Sequence, residues 1–416
     1  MQSRTLILIA TAFLACACER AVAQSANYTP IPTGFDFPAP QARLLAARDS
    51  QDVASMRKHA WLVFAGMTQA AHPQLLSSEA IWETWYRGDE VFATGPQAEA
   101  MHHLIRKFVT PRQFRIPGQA APQDVGISLA SFTLFNQQTK DHVRDPQNKY
   151  FLRATLESLN SGFPAGASPE KRTIKEFPAA AMSLKAVWVR IAGTGLTPVP
   201  IWDPDKQQLT DPAPPQAPPL TWKRRILIDP SRDQIPPGET RDIVGFPGSH
   251  VVPLSAFYHF KVTPDQVAGL KKFGAQTGDF MVLVALHYTT KEIPDWVWAT
   301  FWWHDSPEEG PFAAGRPESD KLKGPWRNYL MNVSYDMTTP KEADGKPKVC
   351  FNPWLEARFA NGVNSNCMTC HQQSVWESAS FLPVTRGPRA PNDPLFLDTT
   401  KLDFVWAFIF EGPGAQ

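Results

Sequence analysis

Three residues near the carboxyl end hold the densest chemistry in the chain: Cys367, Cys370 and His371, within NSNCMTCHQQS at residues 364–374. Cys-x-x-Cys-His is the attachment pattern of c-type haem. Two thiols at this spacing can add across the two vinyl groups on one porphyrin edge, and the adjacent imidazole reaches the iron. Two other chemistries use paired cysteines. A thioredoxin-like redox pair needs a strand before it, a helix after it and a βαβ setting, but residues 359–366 (FANGVNSN) are rich in Gly and Asn. A structural zinc site needs a second ligand pair at motif spacing, and the chain has no other Cys-x-x-Cys or His-x-x-x-His. One covalent haem c is therefore expected, bound by Cys367, Cys370 and His371.

From Gln372 to Gln416 there is no Met, His or Cys. A sixth ligand must therefore come from upstream or be missing. The difference decides the chemistry, because a filled distal face suits an electron carrier and an open one admits small molecules. The best source upstream is residues 279–305, where DFMVLVALHYTT and DWVWATFWWHD are joined by KEIPD and read as an antiparallel hairpin. Counting by twos puts Met281, Leu283, Ala285 and His287 on one face, and Trp296, Trp298, Thr300, Trp302 and His304 on one face of the second strand. His287 is the preferred distal metal ligand, against two alternatives: a buried histidine satisfied by a backbone carbonyl, or a distal group that polarises a bound ligand. His304, at a strand end, and Met331 and Met337 are lesser candidates.

The elements that must hold these residues are mixed. Forty prolines argue against a helical bundle. Between Arg43 and Thr110 the apolar spacing is helical, with a Ser-capped segment SSEAIWETWYRG and a Pro96-initiated segment PQAEAMHHLIRKFVT. Met56, Met67, Met101, His102 and His103 there read as packing or surface residues. Residues 111–180 give weak signals. KAVWVRIA (185–192) alternates as a strand with Lys185, Val187, Val189 and Ile191 on one face, and WKRRILID (222–229) is strand-like. The proline-dense stretch between them, 197–220, is either an interdomain linker or a loop within one sheet. The apolar tail KLDFVWAFIF reads as β-like and core-closing. The expected fold is α+β: a helix-rich region at 24–180, a β-rich core of antiparallel hairpins at 181–310, and a haem-attachment segment at 311–416 packed on that core.

Arg4 followed by LILIATAFLACA reads as an export signal over residues 1–23, cleaved after Ala23, with a lipid anchor at Cys16 as the alternative. No later stretch is long and apolar enough to span a bilayer. Cleavage after Ala23 leaves Cys350, Cys367 and Cys370, too few for a disulfide framework, with Cys350 as a free thiol; a lipidated chain would keep Cys18, which could pair with Cys350. With 41 basic and 40 acidic residues and no basic run interleaved with aromatics, nothing points to nucleic acid.

The segments CFNPWLEARFANGVNSNCMTCH, ALHYTTKEIPDWVWATFWWHD and SLKAVWVRI, and more loosely AWLVFAGMTQ with IWETWYRGDEVFA, resemble a family of exported bacterial proteins grouped as c-type cytochromes. The resemblance implies one covalent haem in a large β-rich protein, attached through Cys367, Cys370 and His371, and draws attention to His287 in the family's Leu-His element. Trp302 and Trp303 stand where the family often has a polar pair. The expected function is electron transfer in the periplasm or outside the cell, with a redox partner protein. The alternative is a c-haem enzyme, peroxidase or oxygenase-like, or a gas-binding protein, with a small-molecule substrate or ligand at an open distal site. Its attraction is size, since ~100 residues make an ordinary small domain and this chain has 416.

Overall fold

A computed structural model describes residues 28–72, 79–94, 106–111, 114, 127–203, 219–359, 361–376, 382 and 385–413. The export-signal reading, Cys16, Cys18, Met101, His102 and His103 lie outside the described residues; residues 106–110, at the end of the Pro96 segment, are not helical. The strands are β1 (Tyr86–Arg87), β2 (Ala130–Phe135), β3 (Met182–Ile191), β4 (Thr197–Ile201), β5 (Arg224–Asp229), β6 (Thr240–Ile243), β7 (Phe246–Pro253), β8 (His259–Lys261), β9 (Phe280–Thr290), β10 (Val297–Trp303), β11 (Tyr329–Ser334), β12 (Val375–Trp376) and β13 (Thr400–Lys401). The helices are α1 (Gln41–Asp49), α2 (Val53–Met67), α3 (Gly88–Phe92), α4 (Gln137–Arg144), α5 (Arg153–Gly162), α6 (Pro264–Leu270), α7 (Cys367–His371) and α8 (Ala407–Phe410). The fold is α+β.

The hairpin read from residues 279–305 forms as β9 and β10 and sits at the centre of the main sheet, whose order is β1-β2-β3-β9-β10-β11, with β8 pairing the first part of β9. All these pairings are antiparallel. The sheet draws strands from each of the regions 24–180, 181–310 and 311–416.

The register settles which residues share a face. Lys185 pairs with His287, and His287 with Thr300; one step along, Ser183 pairs with Thr289, and Thr289 with Trp298. Paired residues in a sheet point to the same side. The pairing of β3 with β9 shifts at Val187/Trp188: Val187 faces Ala285, but Trp188 faces Leu283. The extra residue, Val284, reverses the alternation. Met281 and Leu283 therefore point away from His287, which corrects the period-two count that put all four together.

The opposite face of the sheet is packed on α2. Asp52 caps this helix by accepting the Ser55 N–H at 3.0 Å. Phe64 stacks on Phe301 with ring centroids 3.9 Å apart, and the Tyr288 hydroxyl donates to the Ala60 carbonyl at 2.7 Å. The fully buried rings along this contact, Trp61, Phe64, Tyr288 and Tyr329 among them, each remove an area worth about 1.5–3 kcal/mol. This is the larger of two apolar clusters; the smaller contains Phe92, Phe135, Phe177, Trp296, Trp298, Met368, Trp376, Trp406 and Phe408.

Three further segments differ from the sequence reading or settle an alternative. The Ser cap expected for SSEAIWETWYRG lies outside the described residues, and residues 79–88 do not form one helix: Ile81–Thr84 is a 3-10 turn, followed by β1 and α3, with Trp82 and Trp85 both buried. The stretch 197–220 begins with β4, which pairs antiparallel with β5 in a second sheet of order β4-β5-β7-β6, so it lies within one sheet. Its Pro198 and Pro200 are tolerated because β4 is an edge strand. The tail is β only at Thr400–Lys401 and then turns through Asp403 (φ 48) and Phe404 (φ 67) into α8. Among the described residues no helix is long and apolar enough to cross a membrane.

Candidate functional site

Helical geometry explains the motif's layout. At 100° per residue, Cys367, Cys370 and His371 fall on one side of α7. Met368 and Thr369 fall on the other and are fully buried. The helix is anchored at its start: Asn366 Oδ1 accepts the Met368 N–H at 2.9 Å, while its Nδ2 donates to Ser334 Oγ at 3.0 Å, at the end of β11. Thr369 Oγ1 reaches the Thr385 carbonyl at 2.5 Å. The segment before α7 is a 3-10 turn, Gly362–Asn364, and not the strand of a thioredoxin-like unit.

His371 is oriented from behind. Its Nδ1–H donates to the Phe404 carbonyl at 2.8 Å, and its ring packs against Trp298 at 4.4 Å between centroids. That bond fixes the tautomer and leaves Nε2 to act as a ligand. The Phe404 carbonyl is itself held by the left-handed turn at Asp403 and Phe404. Asp403 accepts from Lys291 Nζ at 2.7 Å, Trp296 Nε1 at 3.2 Å and the Phe177 N–H at 3.2 Å. Burial pushes the His371 imidazole down to about 4, so it is neutral at pH 7.

The side of α7 carrying the motif faces the sheet across a cavity. Counted out through its open mouth into solvent, the space between atoms comes to about 1270 Å³. Cys367, Cys370, His371 and His287 all line it, with Lys185, Thr133 and Ser183 on the sheet wall and Trp296, Trp298, Phe359, Phe404 and Trp406 supplying apolar surface. The structure thus brings together all four residues singled out from the sequence.

His287 lies on the sheet wall, and among the described residues neither of its ring nitrogens has a hydrogen-bond partner; its neighbours are electrostatic, Lys185 and His371. A histidine satisfied by a backbone carbonyl is thereby ruled out. Burial first, then those two neighbours, push its pKa well below the usual value, which leaves a neutral imidazole turned to the cavity. The other candidates lie elsewhere. His304 Nε2–H donates to Asp203 at 3.3 Å and its Nδ1 accepts the Ser306 N–H at 3.0 Å. Met331 belongs to the larger core cluster, and Met337 packs on the smaller one.

Sequence reasoning missed three features of the cavity. Lys185 was read only as a strand residue, although a lone cation on a face otherwise made of Val187, Val189 and Ile191 was a signal. Glu356, in the segment NPWLEARF, lines the cavity and has its carboxyl pushed up to about 7 by burial, with the Asn352 N–H bond at 2.6 Å opposing the shift. Cys350 is a free, fully buried thiol as expected, and its Sγ lies 4.0 Å from Cys367 Sγ. Nothing in the spacing of the cysteines announces that contact.

The donor set fits a covalent haem. Two thiols and an oriented imidazole stand on one wall, an unpartnered neutral imidazole stands on the other, and indole and phenyl surface lies between them. The Cys350 contact and then burial raise the Cys367 thiol pKa, and burial raises that of Cys370, so both sulfurs are held as thiols in the haem-free chain. Among the described residues no three His, Cys, Asp or Glu side chains are placed to share a bare ion; a porphyrin iron brings four ring nitrogens of its own. The chain matches no family model, no curated protein and no solved structure.

Proposed function

We propose that this protein is an exported monohaem c-type cytochrome that passes electrons between redox partner proteins in the periplasm or outside the cell. Cys367 and Cys370 would hold the haem through thioether bonds, and His371 and His287 would offer their imidazoles to its iron. The bound group supplies a one-electron Fe(III)/Fe(II) couple. The residues of this chain do the rest. Phe404 fixes the tautomer of His371, and Trp296, Trp298 and Trp406 exclude water around it. Lys185 sets a positive charge on the wall where acidic porphyrin substituents can be met, and Glu356 holds an exchangeable proton near neutral pH.

The observation that carries this reading is the pair of imidazoles lining one cavity, His371 anchored at Nδ1 and His287 with no hydrogen-bond partner among the described residues. The test is expression alongside a haem-attachment apparatus, followed by denaturation. Haem mass and colour should stay with the chain, and should leave it in C367A/C370A. Colourless denatured wild-type protein would falsify the reading.

A second reading is supported by Glu356 on the cavity wall: a c-haem enzyme or gas-binding protein with an open distal site. The spectrum of the ferrous protein separates the two. A low-spin spectrum indifferent to carbon monoxide in the wild type, converted to a carbon-monoxide-binding form by H287A, supports the carrier. Ready binding by the wild type, unchanged in H287A, moves the function to an open-site protein.

A further inference from the structure

The described residues hold three cysteines, and haem attachment uses two. We propose that the third, Cys350, forms a disulfide with Cys367 before haem is attached, and that this bond is the oxidised resting form of the haem-free chain. The proposal rests on the haem reading only for its consequence, not for the bond itself.

The geometry is local and specific. Cys350 forms a parallel bridge with Asn366: its N–H donates to the Ser365 carbonyl at 3.0 Å, and its own carbonyl accepts the Cys367 N–H at 2.8 Å. Cys367, the residue after the bridged Asn366 and the first of α7, thus lies across from Cys350. The sulfurs already lie 4.0 Å apart, and Cys367 Sγ–H points at the Cys350 carbonyl at 3.1 Å. Side-chain rotation would have to bring them to the ~2.05 Å of a bond. Among the described residues Cys370 has no comparable sulfur contact: it sits one helical turn on and faces the cavity. Cys367 also lines the cavity, which gives an oxidant a way in.

The chemistry balances with agents of ordinary class. A protein disulfide of the exported compartment is attacked by the Cys367 sulfur to give a mixed disulfide, and Cys350 resolves it. The two thiols together lose two protons and two electrons, and the oxidant leaves as a dithiol. The reverse step needs a dithiol reductant, which returns two electrons and two protons to Cys350 and Cys367. Thioether formation afterwards is redox-neutral, because each S–H adds across a vinyl C=C. A Cys350–Cys367 bond therefore withholds one of the two attachment sulfurs until a reductant acts, and it leaves Cys370 as the free thiol.

The test maps the wild-type chain directly. It is expressed for export without a haem-attachment apparatus, alkylated on lysis and digested without reduction. A linked peptide pair carrying Cys350 and Cys367, with Cys370 alkylated, is expected. A Cys367–Cys370 or Cys18–Cys350 bond, or three alkylated cysteines, overturns the proposal. Because no haem is present, this outcome is independent of whether haem is later retained. For the consequence, C350S expressed with the attachment apparatus but without its dithiol reductant should load haem severalfold more fully than the wild type, and equal loading would refute the withholding role.

Discussion

Glu356 shows how much of a site can hang on one residue that sequence reading passes over. Its carboxyl is raised from 4.5 to about 7, mainly by burial. Between those values the folded chain keeps a proton that the unfolded chain has lost, so stability falls as pH rises through the window; below 4.5 there is no penalty, and above 7 it is complete. The span corresponds to about 3 kcal/mol. Urea titrations of the haem-free protein from pH 4 to 8 should show a midpoint that falls more steeply in the wild type than in E356Q, and parallel curves would rule the assignment out. Cys367, Cys370 and His371 were legible because their chemistry is encoded in contiguous spacing, and His287 because a polar residue interrupts an apolar strand. Glu356 and Cys350 were not, since their roles come from a contact 17 residues away along the chain and from a cavity that exists only once the sheet and the tail have met.

At the level of elements, the turn between Leu402 and Val405 does more than end the chain's last strand. Two consecutive non-glycine residues, Asp403 and Phe404, take positive φ, a conformation that costs about 1–2 kcal/mol each. They are held by the buried pair of Lys291, from the β9–β10 turn, and Asp403, 3 and 6% exposed at their side chains. Removing one member strands the other charge, at about 3–5 kcal/mol. D403N and K291M should each destabilise by that order, and the double variant by clearly less than their sum; additive losses would mean that the pair is not coupled. If the clamp also orients His371 through the Phe404 carbonyl, haem-loaded D403N should show an altered ligand-field spectrum at temperatures where it is still folded. The hairpin was readable because alternation and turn chemistry are local. The bulge at Val284 and the left-handed turn were not, because a bulge shows only in the partner strand's register, and Asp-Phe carries no glycine to mark φ > 0.

For the whole molecule, the two apolar clusters of the described residues are held together in different ways. The larger, built on β3, β9, β10 and α2, is closed by direct ring contacts such as Phe64 on Phe301 and Tyr288 on Phe301. The smaller borders the cavity and contains Trp298, Met368, Trp406 and Phe408. Besides the Asp403 clamp, polar links that tie it down include Arg172 to the Asp398 and Thr399 carbonyls, the Lys401 N–H to the Arg172 carbonyl, and the two-residue pairing of β12 with β13. A ligand that binds only the folded state stabilises what it touches, and segments with few buried contacts open first. In the haem-free chain, amides of residues 367–376 and 400–411 should therefore exchange at least tenfold faster than in the haem-loaded chain, while those of β9 change little. Uniform slowing across both groups on haem loading would mean that the sheet and the tail unfold as one cooperative unit. Exchange indifferent to haem would mean that the cavity is held open by the protein alone, and that cofactor burial does not order the carboxyl-terminal segment.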